Sequence, residues 1–291
     1  MVVPFSPGGA SDTAARIVSS QLVQRFGQQI VIDNRPRGAG TIGVEIAAKS
    51  PADGYTLLMG SNAEITINPN LYPKLPYDTA RDLVPISMVA STPLLVVTNP
   101  ALGIQTLPEL ISQARAKPDQ ISFASSGNGG TVHMATQLFI SMTGARMRHI
   151  PYQGGAAGLT ATLAGETNLI FVAMPLGLPQ ARAGRVRALA VTTPKRVAAA
   201  PEIPTVAESG VPGYQMDVWN GLMAPAGLPR PIFDRPHTET VRIMALAEVR
   251  QAFAKVGAEA FSSTPAAFAQ LVKSELAQYA KVVKEAGLKI D

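Results

Sequence analysis

Residues 2–14 read VVPFSPGGASDTA and residues 121–135 read ISFASSGNGGTVHMA. Both stretches pass from an apolar strand end, through a loop of small residues, into a helix, with paired glycines just before the helix. Val2 and Val3 are the tail of a strand, and residues 4–10 can continue neither a strand nor a helix. Ser11 or Asp12 serves as N-cap. Ala14, Ile17, Val18, Leu22 and Phe26 then recur at helical spacing until Gly27 stops the run. In the second copy residues 121–124 form the strand and a helix starts near Thr131. The recurrence predicts two α/β lobes, each offering a glycine turn to a shared cleft.

Outward from these stretches, a second strand is expected over 30–32, a helix over 44–49 and a third strand over 55–59. That rhythm argues for a parallel, doubly wound sheet. Further strands are expected over 94–97, 169–172, 187–191 and from 215 towards 222, with a helix over 107–116. From about 241 the chain reads as mainly helical, with Pro265 opening a long final helix through Val283. Crossings near 98–100 and 219–222 would form a hinge. They divide the chain into a discontinuous first lobe, 1–98 plus 223–291, and a second lobe, 99–222.

The composition suits a compact globule: 46% hydrophobic and 15% charged residues over 291 positions. Lys and Arg total 25 against 20 Asp and Glu, a net +5 that favours anions but is nowhere gathered into a stripe. The densest basic stretch, Arg182, Arg185 and Arg187, has no interleaved aromatics, so no nucleic-acid partner is expected. Cysteine is absent, which removes disulfides, thiolate metal sites and Cys nucleophiles. No apolar run is long enough to enter a bilayer as a span, and Met1 leads into Val2-Val3-Pro4 with no signal-peptide pattern.

The glycine loops carry the chemistry. A helix N-terminus has unpaired N–H donors and partial positive charge, and Gly8 and Gly9 let a ligand oxygen approach that backbone. Gly127, Gly129 and Gly130 would do the same from the other half, with Ser125, Ser126 and Thr131 adding hydroxyls. Such loops can also be mere tight turns; their recurrence in both halves favours an anion clamp that needs no Lys or Arg. Phe5, between Pro4 and Pro7, is placed to cover an apolar part of a ligand. His133, beside the second loop, either bonds a ligand or caps and packs. Asp12 reads as a helix cap, Trp219 as core or hinge packing, and His237 as a bland exposed residue.

Residues 38–43, GAGTIG, match a dinucleotide fingerprint, and Glu64 follows at a suitable distance. The motif, however, follows the second strand and not the first. Residues 33–37 separate it from that strand, and Glu64 lies past Ser61 and Asn62 in a loop expected to face the cleft. An NAD(P)-dependent enzyme is therefore the alternative rather than the main reading. His133, His149 and His237 lack metal-ligand spacing, and there is no G-x-S-x-G elbow. No enzyme, no metal and no cofactor are expected.

The chain resembles the Bug family, the extracytoplasmic solute receptors of tripartite tricarboxylate transporters. The resemblance is carried by PFSPGGASD at 4–12, DNRPRGAGTIG at 33–43, PADGYTLL at 51–58 and SSGNGGTVH at 125–133. It continues in HIPYQGG at 149–155, PEIPTVAESGVPGY at 201–214 and WNGLMAPAGLP at 219–229. It implies a periplasmic-binding-protein-like (type II) α/β fold of two lobes, each a doubly wound mixed sheet, joined by two crossing strands. It also implies a periplasmic monomer that carries a small carboxylate to a membrane permease; a sensor with the same binding chemistry is a further alternative. The ligand residues it implies are Phe5, Ser6, Gly8, Gly9, Ser61 and Asn62 from the first lobe. From the second they are Ser125, Ser126, Gly127, Thr131, His133, Tyr152 and Ala173.

Three departures stand out. Family members begin with a signal peptide and a fuller first strand, so added upstream residues are expected to raise the melting temperature. Val172 and Ala173 stand where many members have a polar pair, which points away from amino acids towards less polar carboxylates. Pro236 falls within what reads as the first turns of a helix, and is expected to distort or delay it.

Overall fold

The structure, a computed structural model, describes residues 1–288. The chain divides into two compact units. Unit 1 comprises Met1–Ser91 and Trp219–Lys281, and unit 2 comprises Thr92–Val218 and Val282–Leu288. The chain passes from the first to the second within one long strand, at Ser91 and Thr92, and returns at Val218 and Trp219. Residues 289–291, at the end of the expected first lobe, lie outside the described residues.

Unit 1 opens with strand β1 (Val2–Val3), helix α1 (Ala10–Phe26), strand β2 (Asp33–Asn34), helix α2 (Thr41–Ala48) and strand β3 (Leu58–Ser61). Short helices α3 (Asn68–Leu71) and α4 (Thr79–Asp82) lead into β4 (Leu83–Thr98), whose first half belongs here. β1 lies between β2 and β3, parallel to both, with Val2 opposite Asp33 and Leu58. The returning strand β9 (Asp217–Pro225) runs antiparallel to β3, placing Ser61 opposite Asn220. Helices α9 (Arg230–Met244) and α10 (Ala247–Lys255), strand β10 (Glu259–Ala260) and helix α11 (Pro265–Ala286) complete it.

Strand alternation sends neighbouring side chains to opposite faces. Val3, Leu57, Met59 and Leu222 join Ala14, Val18 and Leu22 of α1 with Ile243 and Phe253 in one core. Val2, Leu58 and Met223 join Val44, Ala47, Trp219 and Phe268 in the other. Helices therefore cover both faces of the sheet, each fully buried aliphatic or aromatic side chain contributing roughly 1.5–3 kcal/mol. Trp219 is the core residue it reads as: its ring meets Phe268 edge-on at 5.2 Å, and Nε1 donates to Glu275 at 3.0 Å.

Unit 2 contains α5 (Leu107–Ala116), β5 (Ser122–Ser125), α6 (Thr131–Thr143), β6 (Arg148–Pro151), α7 (Gly155–Ala164), β7 (Leu169–Ala173), α8 (Met174–Arg182) and β8 (Arg187–Val191). β5 is parallel to both β6 and β7, with Ser125 opposite Pro151 and Ala124 opposite Ile170. The second half of β4 runs antiparallel to β7 and to β8. Phe139 packs on Phe171 at 5.6 Å, and the buried Tyr214 donates its hydroxyl to the Ala135 carbonyl at 2.9 Å.

Several expected boundaries shift. No strand spans 30–32; β2 is Asp33–Asn34, because the ladder partner is the two-residue β1. The third strand begins at Leu58 and not Tyr55, which is 81% exposed. α1 starts at Ala10 with Gly9 as its N-cap, two residues before Ser11 and three before Asp12. Pro236 does not delay α9, which begins at Arg230 with Pro231 in its first turn. Pro236 instead sits buried in the second turn, at the loss of one helical hydrogen bond.

Candidate functional site

In unit 1 the carboxyl ends of the three parallel strands carry the 4–9 loop after β1, residues 35–40 after β2, and Ser61-Asn62 after β3. Gly8 adopts φ 82°, a left-handed conformation open to glycine, and donates its N–H to Asp12 Oδ2 at 2.8 Å. Gly9 donates to the Ser6 carbonyl at 3.3 Å. These two amides are thus used to shape the loop, and no side chain caps the first turn of α1. Asp12 also accepts from Arg16 Nε at 2.9 Å and from Asn34 Nδ2 at 3.0 Å. The Arg16 bond above all, with those from Gly8 and Asn34, holds its carboxyl down at about 2 despite burial. Asn34 donates as well to the Phe5 carbonyl at 3.0 Å, which ties the loop to β2.

Phe5 is half-buried against the Gly40 turn, where a Cβ would come within 3.2 Å of its ring. The 38–43 glycines are explained by packing: Gly40 takes φ 90°, and a Cβ on Gly43 would fall 2.8 Å from Pro4 Cα. Glu64, the acid a dinucleotide site would need, does not face outward. It is fully buried and accepts the Ser61 N–H and Ser61 hydroxyl, each at 2.5 Å. Asn62 is buried beside it.

In unit 2 the carboxyl ends of β5, β6 and β7 lead directly into α6, α7 and α8. The N-caps of these helices, Gly130, Gly154 and Ala173, make no side-chain capping bond. Three helix N-termini without a side-chain cap therefore share one sheet edge, although Pro175 in the first turn of α8 has no N–H to offer; the arrangement concentrates partial positive charge. The glycines again spend their amides on the loop. Gly127 donates to Ser125 Oγ at 3.1 Å, Gly129 to His133 Nδ1 at 3.0 Å and Gly130 to the Gly127 carbonyl at 3.4 Å.

His133 is 1% exposed and stacks on His149, ring centroids 3.8 Å apart, with Phe123 beyond at 4.9 Å from His149. Burial, then the neighbouring His149, pushes His133 down to about 3, and burial lowers His149 as well. Both rings are neutral. Because Nδ1 of His133 accepts from Gly129, its proton is on Nε2; the Gln137 Nε2 that stands 3.2 Å away is itself a donor and does not accept it. His149 Nε2 meets Ser125 Oγ at 2.6 Å. Thr131 is half-buried at the first position of α6, and Ser126 is half-buried with its Oγ 2.9 Å from where a Gly130 Cβ would stand. Tyr152 is half-buried; its N–H donates to the Ser125 carbonyl at 3.2 Å, and its hydroxyl lies 3.4 Å from Glu166 Oε2.

Within each unit, then, the residues expected from sequence gather at one strand edge. Phe5, Ser6, Gly8, Gly9, Ser61 and Asn62 do so in unit 1; Ser125, Ser126, Gly127, Thr131, His133, Tyr152 and Ala173 do so in unit 2. The sequence does not single out Asn34, and it brings up Glu64 only for a dinucleotide site and His149 only for a metal site. His149 opens the HIPYQGG segment, but nothing in its spacing announces a stack on His133. His237 bonds the Ile86 carbonyl at 3.1 Å. Among the described residues no cluster of three or more His, Asp or Glu could hold a metal ion, and no helix is long and apolar enough to cross a membrane.

A family profile described as the tripartite tricarboxylate transporter family receptor matches residues 14–288. The chain belongs to this family. Its relatives include the Protein BugT of Bordetella pertussis, 38% identical over 294 residues, covering 100% of this chain and 89% of BugT. Among solved structures it is similar to a protein of R. palustris with adipate, at 34% identity and TM-score 0.82 over 99% of this chain and 98% of that one. MatC of Rhodopseudomonas palustris with bound malate aligns at 28% identity and TM-score 0.78, over 97% of this chain and 98% of that one. As a TctC-type receptor the chain has the two-lobe, periplasmic-binding-protein-like α/β fold of the Bug solute receptors.

Proposed function

We propose that this receptor is a periplasmic solute-binding protein. It captures a small organic acid and delivers it unchanged to the membrane permease of a tripartite tricarboxylate transporter. The observation that carries this reading is the edge of unit 2, where α6, α7 and α8 begin without a side-chain cap beyond the carboxyl ends of β5, β6 and β7. Main-chain N–H groups can hold a carboxylate there by charge-assisted bonds with no cationic side chain. The relatives solved with adipate and with malate support the same ligand class. Val172 and Ala173 end β7 without a polar side chain, and Phe5 offers a ring from unit 1, so an acid with an aliphatic body is favoured over an amino acid.

A thermal-shift series of adipate, malate, aspartate, NAD and NADP tests this. A ligand at a hundredfold its Kd stabilises by roughly 2.7 kcal/mol, a clear rise in Tm. Adipate is expected to give the largest rise, malate a smaller one and aspartate the least. A rise with the dinucleotides alone would sink the proposal in favour of the GAGTIG alternative. Light scattering is expected to report a monomer with and without acid.

A further inference from the structure

Glu64 lies fully buried in the π-helical turn Ala63–Ile67 that follows β3. Such turns interrupt regular helix geometry and often mark functional positions. Both carboxylate oxygens are engaged by one residue, Ser61, through its N–H and its hydroxyl. Around it, Tyr77 donates its hydroxyl to the Glu64 carbonyl at 2.7 Å, and the Gly40 turn lies against its Cβ. Beyond Thr66 stands a second acid, Glu275 of α11, which accepts from Thr66 Oγ1 at 2.7 Å and from Trp219 Nε1. On the α1 side, Asn34 links Phe5 to Asp12, and Asp12 holds Arg16. Arg16 is the one cation among these groups, and it is bound to Asp12. A carboxyl enclosed in this way favours its neutral form, and burial raises Glu64 to about 7 against the pull of the Ser61 bonds.

The strand register connects this acid to the open amides of α1. Ser61 stands opposite Asn220 on β9, and Asn220 Nδ2 donates to Ser11 Oγ at 2.8 Å in the first turn of that helix. A ligand carboxylate reaching those amides would bring a second negative charge beside a buried one, in a medium that screens poorly.

We infer that Glu64 is a proton-linked positioning residue for ligand capture. It takes up a proton as the acid arrives and so frees the Ser61 hydroxyl to donate to the ligand. The proton comes from solvent and settles on Oε2; the new O–H donates to Ser61 Oγ, and the Ser61 hydroxyl hydrogen turns away from Glu64. No covalent bond other than this O–H is made. The inference rests on the carboxylate-binding reading above.

Isothermal titration with adipate, in two buffers of different ionisation enthalpy, counts the protons taken up per ligand. A fraction of one proton is expected at pH 7, where Glu64 titrates, approaching one proton just above that pH and fading below it. Above that pH the wild-type Kd is expected to rise by up to about tenfold per pH unit. Glu64→Gln keeps a partner for Ser61 and is expected to bind with no proton uptake and a flat Kd. Binding heat without uptake in the wild type, or unchanged uptake in Glu64→Gln, overturns the inference and leaves carboxylate binding standing. No heat with adipate, malate or aspartate overturns both. The wild-type profile decides the matter even if the variant fails to fold.

Discussion

The loop before α1 and the loop before α6 are built alike from unlike residues. In each, a left-handed glycine, Gly8 at φ 82° or Gly129 at φ 71°, donates its N–H to the side chain four positions on. In each, an extended glycine, Gly9 or Gly130, is the N-cap. The acceptor is Asp12 in the first loop and His133 in the second, both buried at the third position of the helix. The charge is what differs. An acceptor is needed to hold the turn, but an anionic one also occupies the partial positive charge of its own helix. Arg16 offsets Asp12 in the first loop, whereas the neutral His133 leaves the field of α6 open. On the carboxylate-binding proposal, the second loop should therefore be the stronger anion site of the two.

The largest effect is expected where a side chain would cover the first-turn amides. Gly9 has φ −76° and a Cβ there would touch only the Ser6 carbonyl, at 3.4 Å, so Gly9→Val should fold. Gly130→Val would instead press a Cβ to 2.9 Å from Ser126 Oγ, which can rotate aside. Both variants are expected to lose adipate affinity by about a hundredfold or more, equivalent to at least ~2.8 kcal/mol, with Gly130→Val the worse. Equal or unchanged Kd values by titration calorimetry would break the ranking of the two loops.

Acid should undo the loops in sequence. Asp12 and His133 are both lowered in the folded chain, so the unfolded chain binds more protons and stability falls as pH falls. For His133 the loss runs from 6.5 down to about 3, and for Asp12 from 3.8 down to about 2. Glu64 has the opposite sign. Its contribution is lost as pH rises from 4.5 to about 7, and Glu64→Gln should remove a penalty on the order of 3 kcal/mol at alkaline pH. Between about pH 6 and 4, amide exchange at Gly129 is expected to lose protection, by up to about tenfold per pH unit, while Gly8 holds. Simultaneous loss at both amides would show that the two anchors do not titrate separately.

The two loops are legible in sequence because the same passage from strand through paired glycines to helix recurs in both halves. Their donors are not. Reading Gly8 and Gly127 as ligand donors overlooked that a left-handed amide points back to the residue that anchors it, here Asp12 or the Ser125 hydroxyl. Glu64 was read as facing outward because an acid two residues past Asn62 is ordinarily solvated; only the π turn turns it inward. Local spacing likewise could not show β4 as one strand of 16 residues, since Pro85 and Pro93 interrupt the pattern that would announce it.

Exchanging the anchors sharpens the comparison directly. His133→Asp would put a carboxylate at the third position of α6 with no Arg partner in the place Arg16 holds on α1. Adipate affinity is expected to fall by about five- to tenfold from repulsion alone, and the loss should shrink in high salt. A stacking defect alone would be insensitive to salt, so the ionic-strength series separates the two causes.

The smallest effect should come from the Tyr152 hydroxyl. The backbone of Tyr152 ties the end of β6 to Ser125, through its N–H on the Ser125 carbonyl at 3.2 Å, while its own carbonyl accepts from Gly154 in the turn before α7 at 3.1 Å. The hydroxyl, 3.4 Å from Glu166 on an exposed flank, makes at most a weak bond. Tyr152→Phe keeps the backbone and the ring, so adipate Kd should stay within about twofold and Tm should hardly move. Tyr152→Ala removes the ring as well, and a drop in affinity there but not in Tyr152→Phe would assign the residue an apolar covering role like that of Phe5. If Tyr152→Phe alone lost tenfold or more, the hydroxyl would be a ligand donor. The second loop would then hold its acid with a side chain as well as with main-chain amides.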